Sequence, residues 1–227
     1  MSTGPGPQHL IRENWLTRAP KPWAGFVMIL LTLLLMLANF FYWNGYAQAD
    51  QWMPSSFHTV MDRHEFWRLW TALFAHGDLG HLLSNSILFL PLTYLLSGYY
   101  GLLFFPVAGL LVGGLVNAMV IQFLPPQASL LGMSGVVYWM GAAWLTLYFL
   151  VDRREAWRRR FAVVAFLAVM LFAPETYKPE ISYLSHLLGF VLGIFSAFAL
   201  WWLRRREFER AEVLEEFFER DEPGAIP

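Results

Sequence analysis

The chain has 227 residues, 57% of them hydrophobic and 18% aromatic but only 15% charged, with a formal net charge of -1 and no cysteine. Soluble domains carry about a quarter of their residues charged, so this composition belongs to a chain whose solvent is lipid. The balanced charge argues against a nucleic-acid partner, and the missing thiols remove disulfides, cysteine nucleophiles and cysteine-bound metals.

Residues 1–23 hold Arg12, Arg18, Lys21 and several prolines, and no small-residue cleavage site follows the first apolar run. The run at 24–43 is therefore expected to be a retained span rather than a signal peptide. A spanning helix needs about 20 mostly apolar residues, because the hydrocarbon core is about 30 Å thick and a helix rises about 1.5 Å per residue. Further runs at 81–97, 102–124, 134–151, 161–173 and 183–203 meet or approach that length. The fifth is short before Pro174; it extends to a span only by drawing on Ala156 and Trp157, and by length alone it also fits a re-entrant or interfacial segment. The connection at 44–80 is rich in Trp, Phe and Tyr, which prefer headgroup depth, and is expected in the membrane interface. Past residue 203, Phe208, Ala211, Leu214 and Phe218 fall near one helical face and predict a short helix in the tail. The expected architecture is all-α: a six-helix membrane bundle over 24–203 with an interfacial first loop, between cytoplasmic tails 1–23 and 204–227.

Basic residues set the expected orientation. The N-terminal tail, the loop after span four (Arg153, Arg154, Arg158, Arg159, Arg160) and the C-terminal tail (Arg204, Arg205, Arg206, Arg210, Arg220) hold thirteen of the sixteen. Arg63, Arg68 and Lys178 fall on the other side. Both termini then lie in the cytoplasm, which requires an even number of spans and supports counting the fifth.

Several membrane chemistries lack their residues. All five aspartates, Asp50, Asp62, Asp78, Asp152 and Asp221, lie outside the expected spans, against a paired-aspartate protease. The string nearest to a zinc-binding His-Glu-x-x-His is His64-Glu65-Phe66-Trp67-Arg68, with arginine where the second ligand belongs, so no metal or other cofactor is expected. No lysine lies in a span, against a Ser-Lys pair. The same absence of Asp, Glu and Lys from the spans argues against a proton-coupled transporter.

The polar residues left within or beside the spans are few. His76, His81 and Asn85 enter span two, Ser134 and Tyr138 open span four, and His186 lies near the start of span six. In the expected topology all three span ends face the outer side. His81 and Asn85 are four apart and project from one helical face; polar side chains in lipid cost a few kcal/mol each unless partnered, so the pair implies a polar pocket. Ser134 stands between Gly132 and Gly135, where a loop turns into a helix whose unpaired N–H groups suit a developing oxyanion. Each feature alone is a common packing device, and Gly189 and Gly193 form a G-x-x-x-G step that usually marks a close helix contact.

Together, Trp67-Arg68, His76-x-x-x-x-His81-x-x-x-Asn85, Gly132-x-Ser134-Gly135-Val136-Val137-Tyr138 and His186-x-x-Gly189-x-x-x-Gly193 resemble the rhomboid proteases in kind, order and span. The resemblance implies an intramembrane serine endopeptidase that cuts in or next to the transmembrane helices of protein substrates. Ser134 would be the nucleophile and His186 the general base. His81, Asn85 and the Ser134 backbone N–H would hold the oxyanion, and Tyr138 would stack on His186. Gly189 and Gly193 would let span six approach span four, with Trp67, Arg68 and His76 as structural support. The chain departs from the family in lacking a glutamate near the end of span two that ties the first loop in place, and in carrying Ser182 and Ser185 at positions usually smaller. The alternative is an inactive rhomboid-like protein that binds or escorts membrane helices. The expected site of action is a bacterial inner membrane, with substrate helices and lipids as partners and the active site open to the outer side.

Overall fold

The structure, a computed structural model, describes residues 8–172 and 182–217. Strand β1 (Gln8–Glu13) precedes helix α1 (Ala24–Asn44), and a linker of short helical turns, α2 (Ala49–Trp52) and α3 (Arg68–Phe74), leads to α4 (Leu79–Tyr100). A π-helical turn at Leu103–Ala108 runs into α5 (Gly109–Val120), followed by α6 (Ser134–Val151), α7 (Trp157–Phe172), α8 (Tyr183–Arg210) and strand β2 (Val213–Phe217). Among the described residues, five helical stretches are long and apolar enough to cross a membrane: α1, α4, the Leu103–Val120 stretch, α6 and α8. The fifth expected span corresponds to α7, which starts at Trp157 and is described as far as Phe172; Ala173 and Pro174 lie outside the described residues.

The bundle is organised around α6. Trp139, Met140, Ala143 and Leu147 along it are fully buried, in a cluster that draws Leu96 from α4, Phe105 and Ala197 from the surrounding helices. Outward faces are apolar in turn: Phe26, Ile29, Leu33 and Leu37 of α1 are all more than half exposed. A helix with polar groups satisfied internally and an apolar outer face is what lipid permits.

One expectation is corrected at the end of the chain. The tail does not form a separate helix: α8 continues unbroken to Arg210, and Leu214 lies in β2, which pairs antiparallel with β1. Phe218 lies outside the described residues. The all-α membrane bundle thus carries, outside its helices, one short two-stranded sheet drawn from both tails. The physical reason is that Trp15 and Phe208 pack edge to face at 5.4 Å, with the Arg204 guanidinium 5.0 Å from the Trp15 ring. The N-terminal segment is thereby held beside the end of α8, and the two extended segments pair their backbones. Asn14 joins them to the bundle by donating to Asp152 at 2.7 Å. The Arg154 guanidinium, bidentate to the same carboxylate, holds Asp152 below the usual carboxylate range.

Span three is shorter than its apolar run. Its helix ends at Val120, and the residues beyond belong to the connection that leads to Ser134.

Candidate active site

The sequence places Ser134, His81, Asn85 and His186 on three different helices, and the local structure at each helix start explains how they come together. Asp78 caps α4, its carboxylate accepting from the His81 N–H at 2.8 Å. Ser182 caps α8, accepting from the Ser185 N–H, and the Ser185 hydroxyl donates to the Ser182 hydroxyl at 2.9 Å. The two serines that depart from the family pattern are thus the pair that fixes the turn entering His186. Ser134 is the first residue of α6, where the leading N–H groups have no acceptor within the helix.

Helices α6 and α8 touch at backbone level on this end. A Cβ on Gly189 would stand 2.1 Å from the Gly135 carbonyl oxygen, and one on Gly193 would stand 2.4 Å from that of Trp139. Gly135 in turn faces the backbone of Ser185. One turn after Ser134, the Tyr138 ring is stacked on the His186 imidazole with centroids 4.0 Å apart and planes inclined 12°. Contact at Gly135 and stacking at Tyr138 bring His186 to the Ser134 end of α6. Ser134, His81, Tyr138 and His186 are all half-buried, so the group is neither sealed nor freely solvated.

His81 reaches the same place from α4. Gly132 has φ +99°, a conformation that favours glycine, and a Cβ there would meet the His81 ring at 2.8 Å. The imidazole therefore rests on the backbone two residues before Ser134. Asn85, buried one turn on, donates one amide N–H to the His81 carbonyl at 3.0 Å and retains a second donor. His76 is fully buried, 4.9 Å from His81 ring to ring in an edge-to-face arrangement, and neither of its ring nitrogens has a partner among the described residues. Burial, and secondarily the neighbouring His81, pushes the His76 imidazole down to about 4.

The linker between α1 and α4 supports the serine loop. Leu130 and Ser55 exchange backbone hydrogen bonds, His58 N–H donates to the Pro126 carbonyl, and Gly132 N–H donates to that of Ala72 at 2.9 Å. Arg68 is buried, ion-paired with Glu65 and donating to the Gln51 and Pro54 carbonyls at 2.7 and 3.0 Å. The adjacent Trp67 is half exposed, and its carbonyl accepts from the Trp70 and Thr71 N–H groups at the start of α3. Trp70 lies across Gly114 of α5, where a Cβ would be 2.4 Å from its ring.

Two asparagines of this framework were not singled out from sequence. Asn39 of α1, fully buried, donates to the Phe74 carbonyl and accepts from the His76 N–H at 2.8 Å, while Trp43 donates to the His76 carbonyl. Asn117 of α5 donates to the Leu69 carbonyl at 2.8 Å. The available signal was a lone amide in an otherwise apolar run. Asn117 anchors the linker to the third span, so the missing span-two glutamate does not leave that loop untethered.

Among the described residues no group of three or more His, Asp and Glu side chains is arranged to hold a metal ion. Compared with known protein families, the chain matches the Rhomboid domain over residues 63–203, a stretch running from the linker through Ser134 to the end of the apolar part of α8. No curated protein matches it. With that match covering more than half of its length, the chain is an integral membrane protein belonging to the rhomboid family.

Proposed function

We propose that the chain is an intramembrane serine endopeptidase, with Ser134 as nucleophile and His186 as general base, hydrolysing peptide bonds in or beside transmembrane helices of other membrane proteins. The observation that carries this reading is the stacked Tyr138–His186 pair one turn from Ser134, on helices in backbone contact. A packing role for the serine gives no reason to hold an imidazole in one orientation beside it.

In the first half-reaction the Ser134 Oγ attacks the substrate carbonyl carbon while the neutral His186 imidazole takes its proton. The tetrahedral oxyanion is stabilised by the Ser134 N–H, the free amide N–H of Asn85 and His81. Collapse breaks the C–N bond, and imidazolium returns the proton to the leaving amine. Water then attacks the acyl-serine with His186 again as base, releasing the acid and restoring the hydroxyl. A transmembrane helix must unwind to present its carbonyl, so substrates carry helix-weakening Gly or Pro near the cut. Helix α7, in which no residue with a described side chain is fully buried, is the side on which a substrate helix enters. The basic-residue asymmetry supports cytoplasmic termini and an outward-facing site.

The test uses the full chain in detergent and in liposomes. Wild type cuts a model transmembrane substrate and is labelled at Ser134 by a fluorophosphonate. Ser134→Ala and His186→Ala each lower cleavage by at least about 10⁴-fold. Undiminished cleavage by either variant overturns the dyad, and native protein that takes no label favours a helix-binding role instead.

A further inference from the structure

At the far end of α6 from Ser134, 18 residues away or about 27 Å along the axis, α6 and α7 flank a cavity of about 320 Å³. Tyr148, Asp152, Arg154, Arg159, Arg160 and Val163 line it, together with Glu155. Its carboxylates are already engaged. Asp152 accepts from Arg154 and Asn14, and Glu155 accepts from Arg159 at 2.9 Å. Arg160 differs from its neighbours. One of its terminal nitrogens donates to the Phe149 carbonyl and its guanidinium lies 5.1 Å from the Phe149 ring, but it has no carboxylate partner among the described residues. Its buried Nε finds no acceptor among the described residues. A charged donor left without an acceptor in a concave site is costly, and an anion would remove that cost.

The surroundings say what kind of anion. Arg159, Val163, Phe166 and Met170 recur at i, i+4, i+7 and i+11, one stripe descending α7 from the cavity into the apolar part of the helix. Phe166 and Met170 are 63% and 64% exposed. Trp157, 60% exposed at the same end, is a residue type that settles at headgroup depth. Arg158 extends Arg159 and Arg160 into a basic rim beside the cavity, which draws anionic headgroups. A soluble anion would use the guanidinium but not the stripe.

We propose that this cavity is a binding site for an anionic glycerophospholipid, its phosphodiester held by Arg160 and Arg159 and one acyl chain lying along Val163, Phe166 and Met170. A net negative headgroup is favoured over a zwitterionic one because an added cation would face the arginine rim. The assignment is independent of the proteolytic reading, and its test measures lipid rather than cleavage.

The experiment is native mass spectrometry of the delipidated full chain titrated with phosphatidylglycerol or with phosphatidylcholine of the same acyl chains, and separately with glycerol 3-phosphate. Phosphatidylglycerol is retained in preference to phosphatidylcholine. Arg160→Gln weakens that retention about fivefold and Arg159→Gln/Arg160→Gln about 25-fold, while the charge-matched Arg205→Gln/Arg206→Gln retains it. Val163→Trp, which keeps every charge and fills the cavity, also weakens it and carries the test should the Arg160 variants not fold. Equal retention of the two lipids, equal loss in both double variants, or unaltered binding by Val163→Trp overturns the site. Glycerol 3-phosphate binding as tightly as the lipid overturns the lipid as its occupant.

Discussion

Gly132 illustrates how much one residue can hold. Its positive φ lets the chain turn into α6, and its missing side chain leaves room for the His81 ring. The imidazole and the start of α6 are thereby brought to one place, where the proposed mechanism puts the tetrahedral oxyanion. Asn85 spends one donor on its own helix and keeps one. If these groups stabilise the oxyanion, His81→Ala or Asn85→Ala lowers kcat by about 10²–10³-fold with little change in KM, as loss of a single such donor does. Steady-state cleavage of a model substrate checks this. A change confined to KM would assign both residues to binding instead. The spacing of His81 and Asn85 on one helical face was legible in the sequence, because helical periodicity alone dictates it. The stacking of Tyr138 on His186 was legible only through resemblance, since nothing in a sequence fixes the angle between rings on different helices.

At the scale of elements, the site depends on how closely α6 and α8 approach. Gly189 and Gly193 permit backbone contact along the upper half of that pair, and Trp139 closes it by donating to the Ser196 hydroxyl at 3.0 Å. Gly189→Ala must push the helices apart, since its Cβ would overlap the Gly135 carbonyl. The expected cost is about 1–3 kcal/mol, the usual penalty for overpacking, together with loss of cleavage as His186 leaves Ser134. Gly25→Ala in α1 has nothing within 4 Å and is the neutral control. Thermal unfolding in one detergent compares the three proteins; equal midpoints would show that the pair tolerates separation. The linker is the element the sequence described least. Its aromatic content indicated interfacial depth, but its short helices and its bonds to the serine loop join residues some 70 positions apart. Periodicity does not report such contacts.

The molecule as a whole joins two ends with different acid responses. His76 in the fold is held down to about 4, against about 6.5 in an unfolded chain. Between those values the unfolded state binds the proton and the folded state does not, so stability falls as pH drops from about 6.5 to about 4. The loss is on the order of 3 kcal/mol. Asp152 acts at the other end and in a lower window. Its folded value is depressed, chiefly by the hydrogen bonds from Arg154, so its contribution is present above the unfolded carboxylate value of about 3.9 and disappears as pH falls through the folded one. Denaturant unfolding between pH 4 and 7 should show a slope that His76→Phe flattens and Asp152→Asn leaves in place. A slope unchanged by His76→Phe would mean that another group titrates there.

The sequence by itself determined the lipid solvent, the apolar runs and the helix starts that carry Ser134, His81 and His186, because hydropathy, charge asymmetry and helical spacing are local properties. It also determined family membership, through motifs in a set order. Only the tertiary structure decided that both tails pair as strands, that Asn39 and Asn117 hold the linker, and that Asn14 reaches Asp152. Each of these is a pairing between segments far apart in the chain. A polar group in lipid must find a partner, but its sequence neighbourhood does not say which.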